Sequence, residues 1–184
     1  MYYTNYFLLA NPTVFPENTL YNNSVVYIFY HGRDGAIGYV LNQPMYPHAI
    51  EQLKQEIKIP VDGQKIYVGG DKQTSRGLVF HGADYATRGT QQVNRDLSIS
   101  SSIQILNDIN NTIGPSHYQI IFGRLEWSAG ELDREIKTGS PASNNKPLWL
   151  PLKFDQKYLF SKTCWDDAMV TYANEQSQQF LNKF

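Results

Sequence analysis

Six consecutive residues, Val25-Val26-Tyr27-Ile28-Phe29-Tyr30, are all β-branched or aromatic. A run like this folds as a strand covered on both faces, because no register exposes only polar side chains. It is far too short to cross a bilayer as a helix, which takes about 20 apolar residues. The run ends at His31, and Gly32-Arg33-Asp34-Gly35 supplies the residues of a tight turn. Ala36 to Asn42 then reads as a returning strand. Residues 24–42 are therefore expected to form a β-hairpin with a four-residue loop, its first strand central in a sheet.

The remaining segments dress this hairpin. Asn5–Ala10 is apolar and ends at Asn11-Pro12, as a first strand would. Pro44 and Pro47 interrupt the chain after the hairpin. Ile50, Leu53 and Ile57 recur at helical spacing, with Glu51, Lys54, Gln55 and Lys58 opposite. Strands are expected over 65–68 and 77–81, separated by a loop that opens with Gly69-Gly70. Residues 82–99 are polar and show no period. A helix follows, capped by Ser100 or Ser101, with a stripe of Ile103, Leu106, Ile109 and Ile113 ended by Gly114-Pro115. Residues 117–122 read as a strand. Ser128-x-x-Glu131 fits a capping box for a helix carrying Leu132 and Ile136 and ended by Gly139. A Ser-, Pro- and Asn-rich loop, 140–147, leads to Leu148-Trp149-Leu150. A last helix opens at Thr163, with Asp166 and Asp167 in its first turn, where they suit the helix dipole.

Six or seven strands and four helices alternating irregularly imply a mixed, largely antiparallel α+β fold. A length of 184 residues suits a single domain over 1–184. The start of the chain shows no basic region followed by an apolar stretch, so a cytoplasmic, membrane-free protein is expected. The single cysteine, Cys164, excludes an internal disulfide framework.

FLLANP, SVVYIFYHGRDGAIGYVLNQP, the glycine pair 69–70, RGLVFH, LSISSSIQIL and FGRLEWSAGELDREI follow one another along the chain. Taken in this order, these segments resemble the bacterial AlgH/YqgE family, whose members carry a transcriptional-regulator label. The order spans most of the chain. The resemblance implies an α/β arrangement with a bifurcated, partly barrel-like sheet flanked by helices, and it supplies no catalytic residues and no cofactor. Departures fall in loops and helix starts: Asp71-Lys72 after Gly70, Gly123-Arg124-Leu125 before the tryptophan segment, Glu131-Leu132-Asp133, and a longer approach to Trp149.

No motif names a chemistry. Gly69-Gly70 follows a strand as a phosphate loop would, yet neither G-x-x-x-x-G-K-[ST] nor G-x-G-x-x-G spacing is present. A turn explains the pair. His31, His48, His81, His117 and Cys164 show no metal-ligand spacing, so no metal is expected. No G-x-S-x-G elbow occurs, and Cys164 reads as an inert packed thiol. A net charge of −1 argues against direct operator binding, although Arg76, Arg88, Arg95 and Arg124 could share a face.

The segment around residues 122–136 is the candidate ligand site. Arg124 offers a donor fork, Trp127 a flat plate, and Ser128 with Glu131 a helix start. Core packing of Trp127 is the competing explanation. The expectation is a non-enzymatic regulator or interaction protein with an unknown protein partner or small anionic ligand. The alternative is an enzyme or anion-binding protein using His81, Arg124 and Glu131 within about 10 Å of one another, with at least one perturbed pKa. Direct DNA binding is a weaker third reading.

Overall fold

The computed structural model describes residues 1–17, 19, 21–57, 66–139, 141–161 and 164–182. Lys58, Lys65, Ser140 and Thr163, on which parts of the sequence reading fall, lie outside them. The described residues form nine strands and four helices, a mixed α+β fold. The chain packs as two compact units, Met1–Asn42 with Leu125–Phe184, and Gln43–Arg124.

The first unit is an antiparallel sheet in the order β9 (Trp149–Lys153), β1 (Tyr6–Ala10), β2 (Val25–Gly32), β3 (Gly35–Val40) and the end of β8 (Tyr118–Ser128). Strand β2 is central, and Val25 to Ile28 are fully buried on both faces, as the apolar run requires. Val26 and Ile28 face a core with Leu8, Val40, Trp127 and Trp149, which Leu132 and Ile136 of α3 (Glu131–Lys137) complete. Tyr27 joins Phe7, Phe154 and Tyr158 on the other face. The Tyr158 hydroxyl donates to Thr171 of α4 (Cys164–Leu181) at 2.6 Å. Gly32 pairs with Gly35, so the hairpin loop is two residues long rather than four. Thr138 and Gly139 both donate to the Arg134 carbonyl, and Gly139 takes φ +66°, ending α3.

The second unit has its own antiparallel sheet, in the order β6 (Thr90–Gln92), β7 (Ser98–Ser100), β5 (Lys72–His81) and the first part of β8. β4 (Ile66–Val68) lies parallel to β8 on its other edge. Strands β6 and β7 fall in the stretch without period. Their sequences, TQQ and SIS, are strands because β7 pairs with β5 and β6 pairs with β7, not because of local preference. α1 (Pro47–Ile57) begins at Pro47, whose missing N–H is harmless in a first turn.

Two helix readings need correction. α2 (Ile103–Asn110) is capped by Ser102, whose hydroxyl accepts from Gln104, because Ser100 is taken up by β7. It buries Ile105 and Leu106, while Ile103 and Ile113 are exposed. α3 starts after Gly130 in a left-handed conformation and has no side-chain cap. Only the carboxylate half of the box forms: the Ser128 amide donates to Glu131 at 2.8 Å.

Candidate functional site: a hollow beside a serine–histidine relay

The second unit contains a hollow of about 180 Å³. Its position follows from side-chain alternation. In the registers Val79↔Ile120, Val79↔Ser100 and Thr90↔Ser100, paired residues share one sheet face. That face carries Phe122, Ile120, Val79, Ser100 and Thr90, and α2 packs over it through Ile105 and Leu106. Gly77 pairs with Phe122, and a Cβ there would lie 2.8 Å from the Phe122 ring. The absent side chain leaves room for the ring. The hollow is lined by the apolar Val79, Leu106, Ile120 and Phe122 and by the hydroxyl-bearing Ser75, Ser100, Ser101 and Ser102. Ser100 is fully buried, whereas Ser75, Ser101 and Ile103 are exposed. The serine therefore sits at the inner end and the exposed residues at the mouth.

Behind Ser100 stands His81, also fully buried. Its Nδ1 is 2.8 Å from the Gly82 carbonyl and its Nε2 is 2.9 Å from Ser100 Oγ. Ser100 Oγ is 2.7 Å from Thr90 Oγ1, which accepts the Thr87 amide at 3.0 Å. Tyr85 meets the imidazole edge-on. Burial holds the His81 pKa below the ordinary histidine value, against the opposing pull of the Gly82 carbonyl and Asp84. Asp84 accepts the Ser116 hydroxyl at 2.6 Å and its amide at 3.0 Å, and those bonds hold its carboxyl below the usual range.

The residues singled out in the sequence fall elsewhere, His81 apart. The Gly69 amide donates to the Phe122 carbonyl at 2.7 Å, so it is not free to cradle a phosphate. A Cβ on Gly69 would lie 2.4 Å from the Gly123 carbonyl, and one on Gly123 would lie 2.4 Å from the Gly70 carbonyl. These glycines permit a close backbone crossing. Arg76 is exposed on β5.

Along β8, Arg124, Glu126 and Ser128 alternate with buried Leu125 and Trp127. Arg124 and Trp127 thus point to opposite faces and do not form one binding surface. The Trp127 and Trp149 indoles both donate to Glu135 Oε2 at 2.8 Å, which fixes Trp127 in the core. Strand pairing also separates His81 from Arg124. Tyr118 is opposite His81 and Arg124 is opposite Lys72, six residues along β8 or roughly 20 Å at 3.3 Å per residue. The expected cluster of His81, Arg124 and Glu131 within about 10 Å is therefore not assembled. His31 accepts the Tyr3 amide on Nδ1 and faces Asp133 through Nε2 at 3.3 Å, so its ring nitrogens are occupied.

Ser100 lines the hollow from strand β7, although its sequence context suits a helix cap. Its partner His81 is 19 residues away, and no spacing motif joins them. The one available signal was the serine at every second position of Ser98-Ile99-Ser100, which places two hydroxyls on one face of a strand.

Fold and site define a class: an α+β protein with a small, largely apolar hollow, one end of which is a buried hydroxyl–imidazole relay. The family model described as AlgH-like (DUF179) matches residues 7–176, and the chain belongs to this family. A UPF0301 protein of Methylococcus capsulatus is 31% identical over 169 residues, covering 89% of this chain and 87% of the relative. A UPF0301 protein of Pseudomonas syringae pv. syringae is 32% identical over 164 residues, covering 86% and 81%. The solution structure of the AlgH protein from Pseudomonas aeruginosa superposes with a TM-score of 0.64 at 30% identity, covering 88% of this chain and 82% of that one. A crystal structure of a Corynebacterium diphtheriae protein has a TM-score of 0.64 at 17% identity, covering 90% and 85%, and shares the fold.

Proposed function

We propose that this chain binds a small molecule in the hollow of the second unit and acts as a ligand-responsive regulatory protein, through a partner rather than by reading DNA. The observation that carries this is the hollow itself, whose lining combines hydrocarbon with serine hydroxyls. Such a lining suits a ligand with a short apolar body and a polar head. At about 180 Å³ it is smaller than the ~300–1,000 Å³ of drug-sized sites, so a compact carboxylic acid or its ester fits the class.

The helices argue against direct operator binding. α2 and α4 contain no lysine or arginine, α1 contains only Lys54, and α3 sets Arg134 and Lys137 among Glu131, Asp133 and Glu135. With a net charge of −1, the chain has no overall positive excess to draw it to phosphate. Among the described residues, no helix is long and apolar enough to cross a membrane.

The test is thermal unfolding with a series of straight-chain carboxylic acids from formate to hexanoate, for the wild type and Val79→Phe. The added ring fills the hollow. At a ligand concentration of ~100 Kd, binding stabilises by about 2.7 kcal/mol. The melting temperature of the wild type should then rise by several degrees with the best-fitting acid, and that of the variant should not. Equal responses would refute the assignment.

A further inference from the structure

We propose that Ser100 is an acyl-accepting nucleophile with His81 as its general base, so that the hollow hydrolyses a small ester or thioester. This rests on the reading that the hollow admits a small molecule, and adds bond-breaking to it.

The proton positions follow from the partners. The Gly82 carbonyl can only accept, so Nδ1 carries the ring hydrogen. Nε2 is then a lone pair, and the Ser100 hydroxyl donates to it. With its hydrogen so placed, Ser100 Oγ accepts from Thr90, whose own oxygen accepts the Thr87 amide. Each hydroxyl hydrogen in the chain points toward the imidazole. This is the order a serine nucleophile needs: a backbone acceptor fixes the tautomer of the base, and the base faces the hydroxyl hydrogen. A hydroxyl relay that only tied β5 to β7 would need no open space beside it. Here the hollow lies against the serine, with Val79, Leu106, Ile120 and Phe122 placed to hold a short acyl chain. The first turn of α2 borders the same space, and its leading amides lack acceptors within the helix.

In the first step Ser100 Oγ bonds to the carbonyl carbon and its proton passes to His81 Nε2. The imidazolium so formed faces the Gly82 carbonyl. Collapse of the tetrahedral adduct breaks the bond to the alkoxide or thiolate, which takes the proton from Nε2 and leaves as alcohol or thiol. Water then gives a proton to Nε2 and bonds to the acyl carbon. Ser100 departs and regains that proton, and the acid is released. The sum is ester plus water to acid plus alcohol, or thioester plus water to acid plus thiol, with no redox change.

The experiment uses the full chain with two probes, p-nitrophenyl butyrate for turnover and diisopropyl fluorophosphate for labelling followed by peptide mass mapping. The proposal expects one adduct, on the peptide containing Ser100, and ester hydrolysis that falls by roughly 100-fold or more in Ser100→Ala and His81→Gln. Ser177→Ala, an exposed serine of α4 outside the hollow, should keep both. Should Ser100→Ala fail to fold, Ser100→Cys retains a nucleophile and should trap a butyryl thioester at residue 100. No adduct, an adduct on another residue, or turnover unchanged in the folded Ser100 variants would overturn the proposal. Butyrate titration separates the two levels. Butyrate binding that Val79→Phe abolishes, without labelling, ends the nucleophile proposal and leaves the ligand reading standing. Absence of both ends both.

Discussion

Glu135 is the residue whose removal best tests how the first unit is held together. One of its carboxylate oxygens accepts two indole hydrogens, from Trp127 and Trp149, each at 2.8 Å. The rings are 8% and 3% exposed, so neither indole can turn to bulk water without leaving the core. Glu135→Ala removes the acceptor from both. An unsatisfied buried donor costs about 1–3 kcal/mol. Glu135 itself is half-buried, which lets water reach part of the site and favours the lower half of that range. Two donors then lose roughly 3 kcal/mol together. For a chain of this length about 2–4 °C of melting temperature is lost per kcal/mol, so the variant should melt about 9 °C lower. Both indoles share one oxygen, so Glu135→Gln with its amide oxygen in that place keeps both bonds and gives up only their charge assistance, about 1 kcal/mol. Tryptophan fluorescence during thermal and urea unfolding reads the three proteins. A Glu135→Ala melting temperature within about 1 °C of wild type, or equal losses for alanine and glutamine, would refute the shared-acceptor argument.

Other outcomes follow from the same structure. Gly123→Ala, at φ +79° and with its new Cβ 2.4 Å from the Gly70 carbonyl, should destabilise by about 2 kcal/mol or more in urea titration, whereas Gly130→Ala, with open space around it, should cost less. Burial pushes the Cys164 thiol up to about 12, so the native protein should resist iodoacetamide at pH 8 and react once unfolded in urea. His81 has a lowered folded-state pKa, so its contribution to stability is complete above about pH 6.5, the ordinary histidine value, and shrinks as pH falls below it. Urea midpoints measured from pH 8 to pH 5 should decline on the acid side in the wild type, and less so in His81→Gln.

Much of the fold was legible because hydrophobic continuity decides it locally. The run 25–30 required a doubly covered strand, and β2 is one. Leu132 and Ile136 had the spacing of a buried helix face, and both are buried. What could not be read depended on partners distant in sequence. Residues 98–100 become a strand only because β5 presents an edge to them, and residues 90–92 because that strand presents its other edge in turn. The α2 stripe holds at Leu106 and Ile109 but not at Ile103 and Ile113, because a spacing of three and four residues fits two adjacent faces of one helix, and the sheet beneath takes Ile105 with Leu106. Among the expected site residues, Trp127 looked like a ligand plate, but its indole is satisfied by Glu135, eight residues on. The Ser100–His81 pair was invisible for the opposite reason. The ladder between β5 and β7 creates it, and neither residue has a sequence neighbour that announces a role.

The proposed ligand role requires that the hollow between β5, β8 and the start of α2 receive a small molecule. Backbone amide NMR during titration with butyrate tests that directly. Saturable shifts should centre on Val79, Ser100 to Leu106, Ile120 and Phe122, and should vanish in Val79→Phe. Shifts that fail to saturate, or that centre on Trp127 to Glu131 instead, would contradict it.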